Sequence, residues 1–179
     1  MKKLLVTLAA TISVMAVFAQ NYSPTDNGSE IKFAIKNFAF TVTGRFNGLK
    51  GKISFNPANL SVASFATTLD AASVNTGNDS RDAHLKKAEY LDVTRYPVIS
   101  FVSTKITNTA GGTLIMDAKI TIKAVTKTVS FPFKAIPKTG GYLFEGEFKL
   151  NRRDFDVGGN SMVMSDNLTV SLSVFVKKD

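Results

Sequence analysis

Apolar and polar residues alternate with period two through most of this chain. Nothing else in the sequence constrains the fold as strongly, because successive side chains on a strand point to opposite faces of a sheet. Ile31, Phe33 and Ile35 alternate with Lys32, Ala34 and Lys36. Gly51, Ile53 and Phe55 repeat the pattern, as do Phe65, Thr67 and Leu69, then Ile99, Phe101 and Ser103. It continues through Leu114, Met116, Ala118, Ile120 and Ile122, then Val129, Phe131 and Phe133, then Phe144, Gly146, Phe148 and Leu150, and finally from Leu168 to Val176. The alternation predicts about eight strands, each with one apolar face.

Turn formers separate these runs: Asn47-Gly48, Asn56-Pro57, Gly111-Gly112, Gly140-Gly141 and Gly158-Gly159-Asn160. Neighbouring strands are therefore expected to be antiparallel. That many one-faced strands must pack as two sheets or close into a barrel, and closure removes both edges. Pro132, between Phe131 and Phe133, is out of place in a central strand and marks an edge or a bulge. One segment, 75–91, breaks the alternation and reads as a short helix with Asp79 as its N-cap and Asp82 three positions on. Leu85 and Ala88 are expected to rest on the sheet.

The first residues are of another kind. Lys2 and Lys3 precede an apolar run, Leu4 to Phe18, too short to span a bilayer comfortably. This predicts a secretory leader over residues 1–19, cleaved after Ala19, and a periplasmic or secreted domain over residues 20–179. Removing Lys2 and Lys3 from the 22 basic residues leaves 20 against 14 acidic ones, a net charge of +6. The basic residues are scattered rather than gathered in a stripe, which argues against nucleic acid and fits a solvated surface with weak attraction to anionic lipid.

Much catalytic chemistry is excluded by composition. The chain has no Cys, so there is no disulfide framework, thiolate metal site or Cys nucleophile. It has one His, His84, two positions from Asp82, a spacing that points the two side chains apart on a helix. A metal set of Asp79, Asp82, His84 and Glu89 is outweighed by the reading of caps and surface charges. Asp154 to Gly159 begins like a calcium loop but has Ser165 where a bidentate Glu is needed. There is no nucleophile elbow, phosphate loop or dinucleotide fingerprint. A non-enzymatic protein without a cofactor or metal is expected.

The inward faces are rich in Phe. Phe33, Ile35, Phe46, Ile53, Phe55, Phe65, Leu69, Ile99, Phe101, Met116, Ile120, Phe131, Phe133, Phe144 and Phe148 are the candidate lining residues. An eight-stranded barrel is just wide enough to be filled by side chains or to hold one small ligand. Gly51, Ala118 and Gly146 on the same faces are expected to leave room. Periodicity alone does not choose between a filled and a hollow barrel.

Several stretches resemble a known family: 42–55 (VTGRFNGLKGKISF), 72–78 (ASVNTGN), 81–85 (RDAHL), 96–101 (YPVISF), 120–127 (ITIKAVTK) and 153–155 (RDF). In order and spacing they look like the YceI-like periplasmic polyisoprenoid-binding proteins. The resemblance implies a lipocalin-like antiparallel barrel that encloses a long apolar chain, such as a polyisoprenoid, quinone tail or fatty chain, for transport, storage or scavenging. It implies no catalysis, and it assigns the helix carrying Arg81, Asp82 and His84 a bracing role. Ala124 and Thr128 stand where the family commonly has Gly and Pro, and the loop between Ile35 and Val42 reads as shortened, which bears on the cavity entrance. Arg45, Lys50, Arg81 and Tyr90 are the candidates for meeting a head group at the rim. A solid-core barrel acting through protein contacts, an enzyme using His84 and Asp82, and association into a homodimer are alternatives the residues leave open.

Overall fold

The computed structural model describes residues 20–179; the leader expected over residues 1–19 and its cleavage after Ala19 lie outside the described residues. Ten strands follow in order: β1 (Gln20–Pro24), β2 (Glu30–Asn37), β3 (Phe40–Phe46), β4 (Lys50–Phe55), β5 (Ser64–Asp70), β6 (Val98–Asn108), β7 (Leu114–Ile122), β8 (Val125–Lys138), β9 (Gly141–Asn151) and β10 (Met164–Lys178). All pairings between them are antiparallel. Eight of them form a ring, β1-β4-β5-β6-β7-β8-β9-β10, which the β1–β10 pairing closes at Tyr22 opposite Lys178. This is the predicted eight-stranded antiparallel barrel. Hairpin β2–β3 prolongs β1 and β4 upward, with β2 lying along the rest of β10.

Two strands were not legible as separate runs. β1 has a single buried apolar side chain, Tyr22, and β3 sets Val42 and Gly44 against Thr41, Thr43 and Arg45, which is too weak an alternation to stand out. The stretch between Ile35 and Val42 is not a loop but a hairpin with a two-residue turn, Phe38–Ala39.

The lower end of the barrel carries Gln20, Asp179 and the turns after β4, β6 and β8. Here the interior is solid. Phe55 packs edge-on to Phe65, Tyr142 and Phe144 with ring centroids 6.3, 5.3 and 5.1 Å apart, and Phe65 meets Phe144 at 4.9 Å. Ile53 and Val176, fully buried like Phe55, complete this cluster, with Tyr142 partly buried at its side.

The upper half is built differently. β8 pairs with β9 only from Phe133–Gly146 downward, and above that the two strands separate. Pro132 stands at this point and has no N–H to continue the ladder, which gives the physical reason for its position. On the other side β3 pairs only with β2, apart from an isolated bridge between Arg45 and Asn75. The closed barrel therefore opens upward into two splayed sheets: the upper parts of β9, β10, β2 and β3 face β5, β6, β7 and β8.

Two segments roof the opening. The first, residues 71–97, contains helix α1 (Asp79–Leu85), which is shorter than the segment that breaks the alternation. Its N-cap is Asn78, whose side chain accepts from the Arg81 N–H, rather than Asp79. Asp82 is buried and accepts from the N–H and hydroxyl of Thr76, so it ties the helix to the preceding loop instead of completing a capping box. The second segment runs from Arg152 to Val163. Gly158 N–H donates to Glu89 O at 2.8 Å, and Lys123 Nζ donates to Ala88 O and Asp156 O, so the two segments hold each other.

Candidate functional site: an apolar cavity under a two-part roof

Between the splayed sheets lies a cavity of about 240 Å³ whose lining is almost wholly apolar. A dry cavity of about 150 Å³ already admits benzene, so this space is large enough for a ligand. One wall is built from β2 (Ile31, Phe33, Ile35), β3 (Phe46), β9 (Phe148, Leu150) and β10 (Leu168, Val170, Leu172). The other comes from β5 (Leu69), β6 (Ile99, Phe101), β7 (Met116, Ile120, Ile122) and β8 (Phe131). Phe133 and Phe144 form the floor, since they line the cavity and also belong to the packed lower core. Val74, Leu85, Tyr90 and Leu91 close it from one roof segment, and Phe155 and Val157 from the other, with Met164 at the start of β10 beside them.

Most of the candidate lining residues thus meet in one space. Three do not: Ile53, Phe55 and Phe65 lie in the solid lower half, because below Pro132 the strands are close enough for facing rings to fill the interior. The small residues play another part than expected. A Cβ on Gly146 would stand 2.9 Å from the Phe131 ring, and one on Gly51 would meet Ala66 O at 2.1 Å, so the space beside each is already filled. Ala118 is fully buried in the core cluster. The hollow arises from the divergence of whole strands, not from missing side chains.

Sequence reasoning missed Arg152, which it counted among the scattered basic residues of a solvated surface. It is buried, and its guanidinium donates to the carbonyls of Ser165, Val157, Gly158 and Gly159, and to Asp166 Oδ1 at 2.7 Å. A planar fork with five donors is suited to collecting so many carbonyl oxygens from one loop. Arg152 therefore holds the roof segment in shape, and its donors are taken up within the protein. Of the other missed lining residues, Val157 and Met164 sit in the loop after β9 and at the very start of β10, where no regular alternation signals them, whereas Leu168, Val170 and Leu172 lie on the apolar face of the recognised alternating run.

Among the rim candidates, Tyr90 lines the cavity. The Arg81 guanidinium is engaged with Thr76 Oγ1 and O, while Arg45 and Lys50 are exposed on the outside. His84 stands on the outer side of α1, with Nε2 2.7 Å from Glu89 Oε1 and its ring edge-on to Tyr90 at 4.9 Å. His84 and Asp82 thus face different partners. Among the described residues, no three His, Asp or Glu side chains converge as a metal site, and of the set Asp79, Asp82, His84 and Glu89 only the His84–Glu89 pair is in contact.

This geometry agrees with comparisons to known proteins. The sequence profile of the YceI-like domain matches residues 22–176. The chain belongs to the YceI-like family. A UPF0312 protein of Ectopseudomonas mendocina is 32% identical over 151 residues, covering 80% of this chain and 79% of the relative. Among solved structures, Burkholderia cenocepacia BcnA is similar with a TM-score of 0.77 at 23% identity, over 82% of this chain and 95% of that one. A polyisoprenoid-binding domain from Saccharophagus degradans, implicated in plant cell wall breakdown, is similar with a TM-score of 0.72 at 17% identity, over 91% of this chain and all of that one. At these identities the two solved structures establish the YceI-like barrel fold.

Proposed function

We propose that this YceI-like protein is a binding protein, not an enzyme, that lodges the end of a long apolar chain, of the polyisoprenoid or quinone-tail class, in the upper cavity after export to the periplasm or beyond. The observation that carries the reading is the apolar cavity itself, enclosed by two splayed sheets and a roof that the sequence maintains with dedicated polar contacts. The likeness to a domain described as polyisoprenoid-binding supports the choice of ligand class.

The mechanism is burial without chemistry. Scaled from the cavity that admits benzene, the space accommodates roughly ten carbons, or about two isoprene units, before any side chain moves. At about 0.8 kcal/mol per buried CH₂ this yields on the order of 8 kcal/mol gross, and association costs offset much of it. Useful affinity therefore requires additional units that contact the roof and the gaps at β3 and between β8 and β9. Tight binding is a property of long chains.

Native mass spectrometry of the exported protein tests this. A one-to-one adduct with the mass of a polyprenyl or quinone chain is expected, and a Phe101→Trp variant, which fills the cavity from a half-buried position, is expected to lose it while remaining folded. A protein that stays bare after incubation with isoprenoid lipids would instead make this barrel a scaffold for protein contacts.

A further inference from the structure

The most exposed large apolar side chains gather at one place on the upper end. Phe38 lies in the β2–β3 turn and Phe40 follows it, each with three-quarters of its surface in solvent, and Met162 and Val163 project beside them from the second roof segment. Phe38 N–H donates to Val163 O, which fixes the two pairs next to each other. Phe38 also adopts a φ of 56°, in a turn position normally given to Gly or Asn. A bulky aromatic is strained there and packs against nothing that offsets the strain. Its presence is therefore unexplained by folding.

The surroundings indicate what covers this tip. The outward face of the hairpin carries Lys32, Lys36 and Arg45, and no acidic residue occurs from Ile31 to Phe46 or from Val157 to Ser165. Lys32 pairs with Glu30, whereas Lys36 and Arg45 form no ion pair among the described residues. The exposed patch is confined to four apolar side chains on two adjoining turns, and the charged residues behind it on the hairpin, from Ile31 to Phe46, are all basic. An apolar point with cations behind it matches a bilayer with an anionic surface, where the rings enter the interface and the cations meet the head groups. Moreover, Ile35 and Met164, which line the cavity, lie only a few residues from the tip along their strands.

We propose that Phe38, Phe40, Met162 and Val163 form a bilayer-docking tip that presents the gap at the free edge of β3, as the mouth of the cavity, to membrane lipid. Docking itself is independent of what the cavity holds; only the exchange of cargo through the mouth rests on the function proposed above.

The chain has no Trp, so a Phe40→Trp variant carries a single reporter. With vesicles of phosphatidylcholine containing a quarter phosphatidylglycerol, its emission is expected to shift to the blue and to be quenched by lipids brominated in the acyl chain. A Val62→Trp reporter, at the opposite end of the barrel, is expected to do neither. Adding Phe38→Asn and Met162→Ser to the Phe40→Trp chain is expected to weaken vesicle binding by about tenfold or more. Phe38→Asn alone is expected to raise the unfolding midpoint, since Asn tolerates the left-handed conformation. The proposal is overturned if Phe40→Trp shows no shift, if both reporters respond alike, or if the shift occurs without vesicles and grows with protein concentration, which would assign the tip to a second copy of the chain. Cargo is read separately by native mass spectrometry, so a protein that retains lipid but ignores vesicles refutes docking alone.

Discussion

Single side chains in this barrel have sharply different duties, and Arg152 and Tyr22 illustrate two of them. Arg152 gathers the carbonyls of the second roof segment, so Arg152→Met is expected to cost about 2–4 kcal/mol in urea denaturation as buried acceptors lose their donor. Arg152→Lys is expected to recover less than half of that, because one ammonium group does not span oxygens on both sides of a planar fork. Tyr22 lies at the lower seam, where burial, and secondarily the neighbouring Tyr142, raises its phenol above the ordinary Tyr range. A folded-state value above the unfolded one means that stability is fully present below about pH 10 and is lost as pH rises through the folded value. Alkaline unfolding curves are the check: Tyr22→Phe is expected to decline less steeply above about pH 10 than the parent protein. The burial of Tyr22 was not apparent from the sequence, because β1 is too short to show a period. Arg152 was hidden for a different reason, since nothing local distinguishes a charge that faces carbonyls from one that faces water.

The roof shows how elements with weak sequence signals become decisive. Helix α1 has seven residues, too few to be stable by itself, and depends on its ties to neighbouring segments. Asp82 holds Thr76 through two hydrogen bonds, and Thr76 in turn engages Arg81. Asp82→Ala is accordingly expected to accelerate hydrogen exchange across residues 76–91 while leaving β6 and β7 protected, as measured by exchange mass spectrometry. Equal acceleration in the strands would show that the roof and barrel unfold as one unit. The polar, capped character of 75–91 was readable as a helix in a strand protein; of the two residues expected to rest on the sheet, Leu85 lines the cavity, whereas Ala88 is exposed. The joining of this segment to the loop after β9 was not, because the Gly158–Glu89 bond links positions far apart in the chain.

At the scale of the whole molecule, the barrel is solid below and hollow above, and the two halves are expected to answer the same substitution differently. Phe55→Ala removes a fully buried ring from the lower cluster and is expected to cost about 3–5 kcal/mol. Phe101→Ala widens a space that already exists around a half-buried ring, so about 1 kcal/mol is expected, with the larger effect on ligand retention. Denaturant midpoints and native mass spectra of the two variants separate stability from binding. The sequence by itself determined eight of the ten strands and their antiparallel order, because a two-residue period and turn residues are local properties of the chain, while its motifs carried the resemblance to the family and its barrel. It also brought most of the lining residues to inward faces. Only the tertiary structure decided which inward faces touch across the barrel and which enclose a void. That depends on the distance between strands, and the distance is set by where ladders end: at Pro132 between β8 and β9, and at Arg45 on the free edge of β3. A face records the direction in which a side chain points, whereas a cavity depends on what stands opposite, and this is settled by pairings between distant residues.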